Sequence, residues 1–136
     1  VLRNTATIKM EVWDYIKKGK ACIWKEKFAI LKSKKIFPEA FANIKDKNEI
    51  TVIINQSKIK DDKAITGIEK GWKIITFDMK LPFGLVGFLA RITKELAEEN
   101  ISIFVISAFS TDHLLVKEKD LNKTLNKLKH LGFQIK

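Results

Sequence analysis

The chain has 136 residues, of which 46% are hydrophobic, and it carries a formal net charge of +10. This length fits one ordinary domain or two very small ones, and the hydrophobic content argues against wholesale disorder. No apolar run approaches the ~20 residues of a membrane-spanning helix, so we expect no membrane association. The single cysteine, Cys22, permits no internal disulfide and fits a reducing compartment, which favours a cytoplasmic location.

The positive charge comes almost entirely from lysine, because Arg3 and Arg91 are the only arginines among 26 basic residues. Lysine fits phosphates and base edges less well than arginine does. Net charge by itself also gives little information about which partners a protein binds. We therefore favour a solvated, lysine-rich surface over a nucleic-acid-binding face.

The first half of the chain predicts mostly strands. Apolar and polar residues alternate in Thr5–Val12, which is typical of a half-buried strand. A second strand is predicted at residues 28–33 (FAILKS), and residues 42–55 predict a hairpin across the polar turn KDKN. The sequence does not predict the fold of residues 13–27. The polar segment 56–71 is typical of a connector between the two halves of the chain.

The second half predicts a more regular series of elements. A strand at 72–79 precedes a helix between Leu85 and Asn100, whose apolar residues repeat with helical spacing. A hairpin at 101–116, a helix at 120–132 and a short strand at 133–136 follow. This order of strand, helix, two strands, helix and strand is the split βαβ arrangement, an antiparallel four-stranded sheet with two helices on one face.

Such a unit occupies only about half of the chain. We therefore predict an α+β protein with two tandem ferredoxin-like βαββαβ units, the first one degenerate. The predicted boundaries are residues 1–68 for the divergent unit and 69–136 for the complete one. Two small sheets that share a core would avoid the marginal stability that each has alone.

Several motifs of the second half resemble the ACT domain across residues 71–131. They are the GW that opens the strand, the loop and helix PFGLVGFLARIT, the strand ISIFVIS and the hairpin FSTDHLLVKEKDL. The resemblance is to the tandem-ACT subgroup of small prokaryotic proteins related to the animal CASTOR arginine sensors. FAILK and AFANIKDKNEITVIIN resemble the eroded first repeat of that subgroup, whereas residues 13–25 are an insertion relative to its short members.

This resemblance implies a non-catalytic regulatory protein that senses an amino acid and needs no cofactor. An ACT sheet leaves one face or edge unpaired, and apolar residues such as Ile101, Ile103 and Phe104 there lead us to expect a homodimer. A separate regulated partner protein is a further expectation. In CASTOR-like sensors the ligand lies between two ACT units, held by the loop after the first strand, by the second strand and by an aspartate of the hairpin. Carried over to this chain, the ligand-binding positions are Leu81, Pro82, Phe83, Gly84, Leu85, Val86, Gly87, Ser102, Ile103 and Asp112.

The chemistry of these residues is compatible with that role. Gly84 and Gly87 stand where a strand turns into a helix, so backbone amides there can approach a ligand closely. The start of the helix favours a carboxylate, and Asp112 offers a counter-charge for an ammonium or guanidinium group. From spacing alone the simpler alternative is favoured, in which the glycines only allow a turn and Asp112 only stabilises the hairpin. The family resemblance favours the ligand site.

Two other functions stay open. The RNA-recognition motif shares the split βαβ layout, but the strands ISIFVIS and HLLVKE lack its stacking aromatic residues. A protein-interaction module without a ligand site has no distinguishing sequence signal.

Residues typical of catalysis or metal binding do not occur in a recognisable pattern. His113 and His130 are far apart in sequence, and neither has the Cys-His or HxxH spacing of a zinc site. Neither the dinucleotide-binding motif GxGxxG nor the P-loop motif occurs. The sequence therefore does not predict an enzyme, a metal site or a nucleotide cofactor.

Overall fold

The computed structural model describes residues 12–136, which form three helices and eight strands. The helices are α1 (residues 12–17), α2 (Phe88–Glu98) and α3 (Leu121–Leu131). The strands are β1 (Lys20–Ile23), β2 (Phe28–Ser33), β3 (Ala42–Lys45), β4 (Ile50–Asn55), β5 (Ile65–Phe77), β6 (Ile103–Ser107), β7 (Asp112–Lys117) and β8 (Gln134–Ile135). The strand predicted at Thr5–Val12 lies outside the described residues, apart from Val12, which is helical.

By its internal contacts the chain forms two compact units. Among the described residues, one unit comprises 12–23 and 75–136, and the other comprises Trp24–Ile74. This division differs from the predicted boundary between residues 68 and 69. The physical reason is β1, whose residues pair with the end of β5 and with β8, so that the start of the chain joins the C-terminal unit.

The unit formed by residues 24–74 contains only strands and one short 3₁₀ turn, Gln56–Lys58. Its strands lie in the order β3-β4-β2-β5, and its core is formed by Ala29, Leu31, Ile50, Val52 and Ile54. The strand predicted at 28–33 and the following hairpin are therefore confirmed. Residues 24–74 are all described and include no α-helix, so their descent from an ACT repeat stays a prediction.

The prediction that residues 56–71 form a connector is wrong for the second half of that segment. Strand β5 begins at Ile65, where it pairs with Ser33, and it continues along β2 to the pair Phe28 and Trp72. The pairing shifts register twice, and all residues from Ile65 to Gly71 remain at least partly exposed. Strand pairing satisfies the backbone here, so the polar composition does not prevent a strand.

The other unit has the predicted ferredoxin-like order β5-α2-β6-β7-α3-β8, which confirms the fold class. Helix α2 packs its buried residues Phe88, Ile92 and Leu96 into one apolar cluster with sheet residues such as Ile75 and Phe77. The strands lie in the order β6-β7-β5-β1-β8. The insertion thus supplies a strand, β1, which runs antiparallel to β5 and parallel to β8 and separates these two.

The predicted helix ends agree with the structure. Asn100 follows α2 with a φ of 57°, and Gly132 ends α3 with a φ of 117°, both in the left-handed region. Asp120 stands at the N-cap of α3, but its side chain makes no capping hydrogen bond. Its carbonyl oxygen instead accepts a hydrogen bond from Thr124 Oγ1 at 2.8 Å.

Candidate functional site

A cleft of about 410 Å³ lies in the ferredoxin-like unit, between the loop after β5 and the turn that joins β6 to β7. We call it the loop–turn cleft. One wall consists of residues 81–83, 85 and 87–90, and the other of residues 107–112. Its volume falls within the usual range of small-molecule sites, about 300–1,000 Å³.

Two backbone hydrogen bonds shape the loop wall. Leu81 N–H donates to Ser110 O at 2.7 Å, which ties the loop to the turn, and Leu85 N–H donates to Pro82 O at 3.0 Å. Gly87 has a φ of 89°, in the left-handed region that other residues rarely adopt. A Cβ atom on Gly84 or Gly87 would meet nothing within 4 Å. The requirement for glycine at position 87 is therefore one of backbone conformation and not of space.

The loop wall continues into the first turn of α2. Gly87 is the N-cap of this helix and offers no side-chain acceptor, and the first turn contains no acidic residue. The next three residues, 88–90, line the cleft. Because the first N–H groups of a helix have no partners within it and carry partial positive charge, this end of the cleft favours an anion such as a carboxylate.

The turn wall supplies the opposite charge. Ser107 pairs with Asp112 at the end of the hairpin, and Ala108 N–H donates to Thr111 O at 2.8 Å across the turn. Among the described residues that line the cleft, Asp112 has the only ionisable side chain, and it is half-buried. The hydroxyl-bearing residues Ser107, Ser110 and Thr111 complete this wall.

His113 lies beside the cleft and does not line it. Its Nδ1 atom is 2.8 Å from Thr76 Oγ1, and its Nε2 atom is 3.4 Å from the hydroxyl of Thr111. Burial lowers the pKa of His113, and the negative charge of Asp112 opposes that shift. The imidazole is therefore mainly neutral at physiological pH, so Asp112 has no cationic neighbour in His113.

Six of the ten predicted ligand-binding residues line the cleft: Leu81, Pro82, Phe83, Leu85, Gly87 and Asp112. Gly84 and Val86 belong to the same loop but do not line the cleft.

The structure does not bring Ser102 and Ile103 to this cleft. Ile103 pairs with Val116, at the opposite end of the hairpin from the pair Ser107 and Asp112. Ser102 is exposed just before that end of β6. A side chain four residues away along a strand is about 13 Å distant, which is too far for it to share one small ligand.

Sequence reasoning missed most of the turn wall and the first turn of α2. Phe109 is the most informative omission, because the residue is 79% exposed and its ring centroid lies 4.7 Å from that of Phe83. A phenylalanine inside a short turn is unusual, since polar residues and glycine dominate turns. That departure was the signal available in the sequence.

The described part of the chain shows neither a metal site nor a membrane span. Residues 12–136 contain no group of three or more His, Cys, Asp or Glu side chains that could hold a metal ion. No helix within them combines the length and the apolar character that crossing a membrane requires.

Several solved structures share this fold. Protein Atu0741 from Agobacterium tumefaciens is similar with a TM-score of 0.75 and 24% identity, over 88% of this chain and 92% of that one. Protein VC0802 from Vibrio cholerae, described as a possible transport protein, has a TM-score of 0.67 and 16% identity, over 89% and 95% of the two chains. A structure of aspartokinase alpha and beta subunits has a TM-score of 0.61 and 15% identity, over 82% of this chain and 96% of that one.

A family model matches most of the second half of the chain. Residues 67–130, a little under half of the chain, match the family ACT_7, which is described as an ACT domain. The matched segment contains α2, the β6–β7 hairpin and the whole loop–turn cleft. The region that holds the candidate site is therefore similar to an ACT domain in sequence, and the fold of the chain is similar to those of the solved structures above.

Proposed function

We propose that this protein is a non-catalytic regulatory module of the ACT type that binds a free α-amino acid in the loop–turn cleft. The observation that carries the proposal is the presence of two opposite poles in one cleft. The uncapped start of α2 forms the positive pole, and Asp112 forms the negative pole. An α-amino acid carries a carboxylate and an ammonium group and so matches both poles.

At the positive pole, the ligand carboxylate accepts hydrogen bonds from the amides of residues 88–90. Gly87 supports this arrangement, because its left-handed backbone conformation leads the chain into the start of α2. A helix N-terminus is a weak site in open water, but a cleft that excludes part of the water strengthens the interaction.

At the negative pole, the ligand ammonium donates hydrogen bonds to Asp112. The hydroxyl groups of Ser107, Ser110 and Thr111 lie on the same wall and supply further acceptors. No lysine or arginine lines the cleft within the described residues, so no protein cation competes for Asp112 there.

The regulatory role rests on the similarity of residues 67–130 to ACT domains. We further propose that the protein is a homodimer and that ligand binding changes its interaction with a separate partner protein. Light scattering of the purified protein, with and without ligand, measures the first of these. A cytoplasmic location remains a prediction from the sequence.

A thermal-shift screen of the twenty amino acids tests the proposal. A ligand present at 100 times its dissociation constant adds about 2.7 kcal/mol to the free energy of unfolding. We expect at least one amino acid to raise the melting temperature. Its amide, which lacks the carboxylate, and its deaminated acid, which lacks the ammonium group, should not do so.

Two outcomes would contradict the proposal. One is an unchanged melting temperature with all twenty amino acids at millimolar concentration. The other is a rise in melting temperature with the amide or with the deaminated acid that equals the rise with the amino acid itself, because binding would then not use the two poles. Single-stranded RNA belongs in the same screen, since a salt-sensitive shift with RNA alone would favour nucleic-acid binding.

A further inference from the structure

We infer that the ligand is an α-amino acid with a large, uncharged, apolar side chain, and that Phe83 and Phe109 select it. The inference rests on the proposed function and deepens it by naming the ligand class. It differs from what the CASTOR resemblance implies, because those sensors bind arginine.

The first observation is the exposure of two phenylalanine rings. Phe83 is 77% exposed and Phe109 is 79% exposed, which makes them the most exposed of the large hydrophobic side chains in residues 12–136. Both also line the cleft, so they stand at its solvent edge. Covering apolar surface at the edge of a cleft with a ligand removes it from water and therefore favours binding.

The second observation is that the rings come from opposite walls and contact each other. Their centroids are 4.7 Å apart and their planes form an angle of 80°, an edge-to-face contact. The hydrogen bond from Leu81 N–H to Ser110 O joins the same two walls at 2.7 Å. The two rings are therefore held together at the edge of the cleft, where they form an apolar surface for a ligand side chain.

The third observation concerns charge. Asp112 is the only ionisable group among the described lining residues, and the ligand ammonium occupies it. A cationic side chain would find no second acid, and an anionic side chain would find no cation and would be repelled by Asp112. Leu81, Leu85 and Leu89 extend the apolar lining beyond the two rings. An uncharged apolar side chain is the class that this lining accommodates without an unpaired charge.

Calorimetric titration of leucine, methionine, phenylalanine, glycine, lysine and glutamate into the full chain tests the inference. We expect the large apolar amino acids to bind at least about ten-fold more tightly than glycine, lysine or glutamate. In an apolar pocket, one methylene group more or less already changes the preference between two ligands by about ten-fold. Phe83→Ala and Phe109→Ala should each weaken binding of the large apolar amino acids by roughly ten-fold and leave glycine binding unchanged. Phe109→Leu should retain most of the preference.

Val86→Ala is the matched control, because Val86 belongs to the same loop and is 61% exposed but does not line the cleft. This variant should keep the wild-type affinities. All four variants alter exposed side chains, and their melting temperatures without ligand check that they fold.

The outcomes separate the inference from the proposed function. If amino acids bind but charged ones bind as tightly as apolar ones, the inference is overturned and the proposed function stands. The same holds if Phe83→Ala and Phe109→Ala keep the full preference for large apolar ligands. If none of the twenty amino acids binds, both are overturned.

Discussion

Two turns of this molecule close antiparallel hairpins in the same way. Residues 46–49 join β3 to β4, and residues 108–111 join β6 to β7. In each turn the N–H of the first residue donates to the carbonyl of the fourth, at 3.0 Å for Asp46 and Glu49 and at 2.8 Å for Ala108 and Thr111. The backbone requirement is therefore the same in both.

The two turns differ in the contacts that their residues make. Asp46 Oδ1 accepts hydrogen bonds from Asn48 N–H at 2.7 Å and from Glu49 N–H at 2.9 Å, so the first turn stabilises itself. The second turn has an exposed phenylalanine, Phe109, and its Ser110 carbonyl binds the neighbouring loop. The first turn is polar and is held by its own side chain, whereas the second turn is bound to the neighbouring loop and forms one wall of the loop–turn cleft.

Exchanging the two turns should have the largest effect. The first variant places the sequence of residues 46–49 in the second turn, through Ala108→Asp, Phe109→Lys, Ser110→Asn and Thr111→Glu. It keeps a four-residue turn but removes Phe109 and adds acidic groups near Asp112. We expect amino-acid binding to be lost in calorimetric titrations while the hairpin still folds, because the backbone pattern of the two turns is the same. The reverse exchange, Asp46→Ala, Lys47→Phe, Asn48→Ser and Glu49→Thr, should leave binding intact. Unchanged affinity in the first variant would contradict the account.

Removing the negative pole should have the next largest effect. Asp112→Asn keeps the shape of the side chain and removes its charge, and hydrogen bonds to charged groups contribute about 1.5–3 kcal/mol. We therefore expect the affinity for the amino acid to fall about ten- to hundred-fold in titrations. Asp61→Asn is the matched control, because Asp61 is exposed and lies outside the cleft. Equal affinities of the two variants would mean that Asp112 only stabilises its hairpin.

Single substitutions in the two turns should affect different properties. Asp46→Ala removes two hydrogen bonds to backbone amides and should lower the free energy of unfolding. Phe109→Ser alters an exposed side chain and should change it by less than about 0.5 kcal/mol. Urea denaturation measures both. A larger loss for Phe109→Ser than for Asp46→Ala would show that the phenylalanine pair is structural.

The smallest expected effect is a pH dependence of the first turn. Hydrogen bonds from the amides of Asn48 and Glu49 hold the pKa of Asp46 below its ordinary value. The stabilisation is therefore present above the pKa of the unfolded chain and is lost as the pH falls through the folded pKa. The stability difference between the wild type and Asp46→Asn should shrink below about pH 4. A difference that stays constant down to pH 2 would contradict this assignment.

The sequence predicted elements whose signal is local. The apolar repeat that includes Phe88, Ile92 and Leu96 identified α2, and the β-branched run 50–55 identified β4. Asn100 and Gly132 identified helix ends because few residues other than these two types adopt a left-handed backbone.

What the sequence did not predict depends on pairing between distant segments. Strand β1 has only four residues, and it exists because β5 and β8 flank it. Likewise, Ile65–Gly71 became a strand through pairing with β2. At the candidate site, the loop and Asp112 followed from the family motif, but the wall formed by residues 107–111 depends on how the turn meets the loop. The same geometry separates Ser102 and Ile103 from the cleft.

The central claim is that an amino acid binds between the start of α2 and the β6–β7 turn. A ¹H–¹⁵N NMR titration with the amino acid that gives the largest thermal shift tests it most directly, because the two turns serve as site and internal control in one spectrum. The account predicts saturable shifts in the amides of residues 88–90 and 107–112, with those of residues 46–49 unchanged. Shifts confined to other residues, or none at saturating ligand, would contradict it.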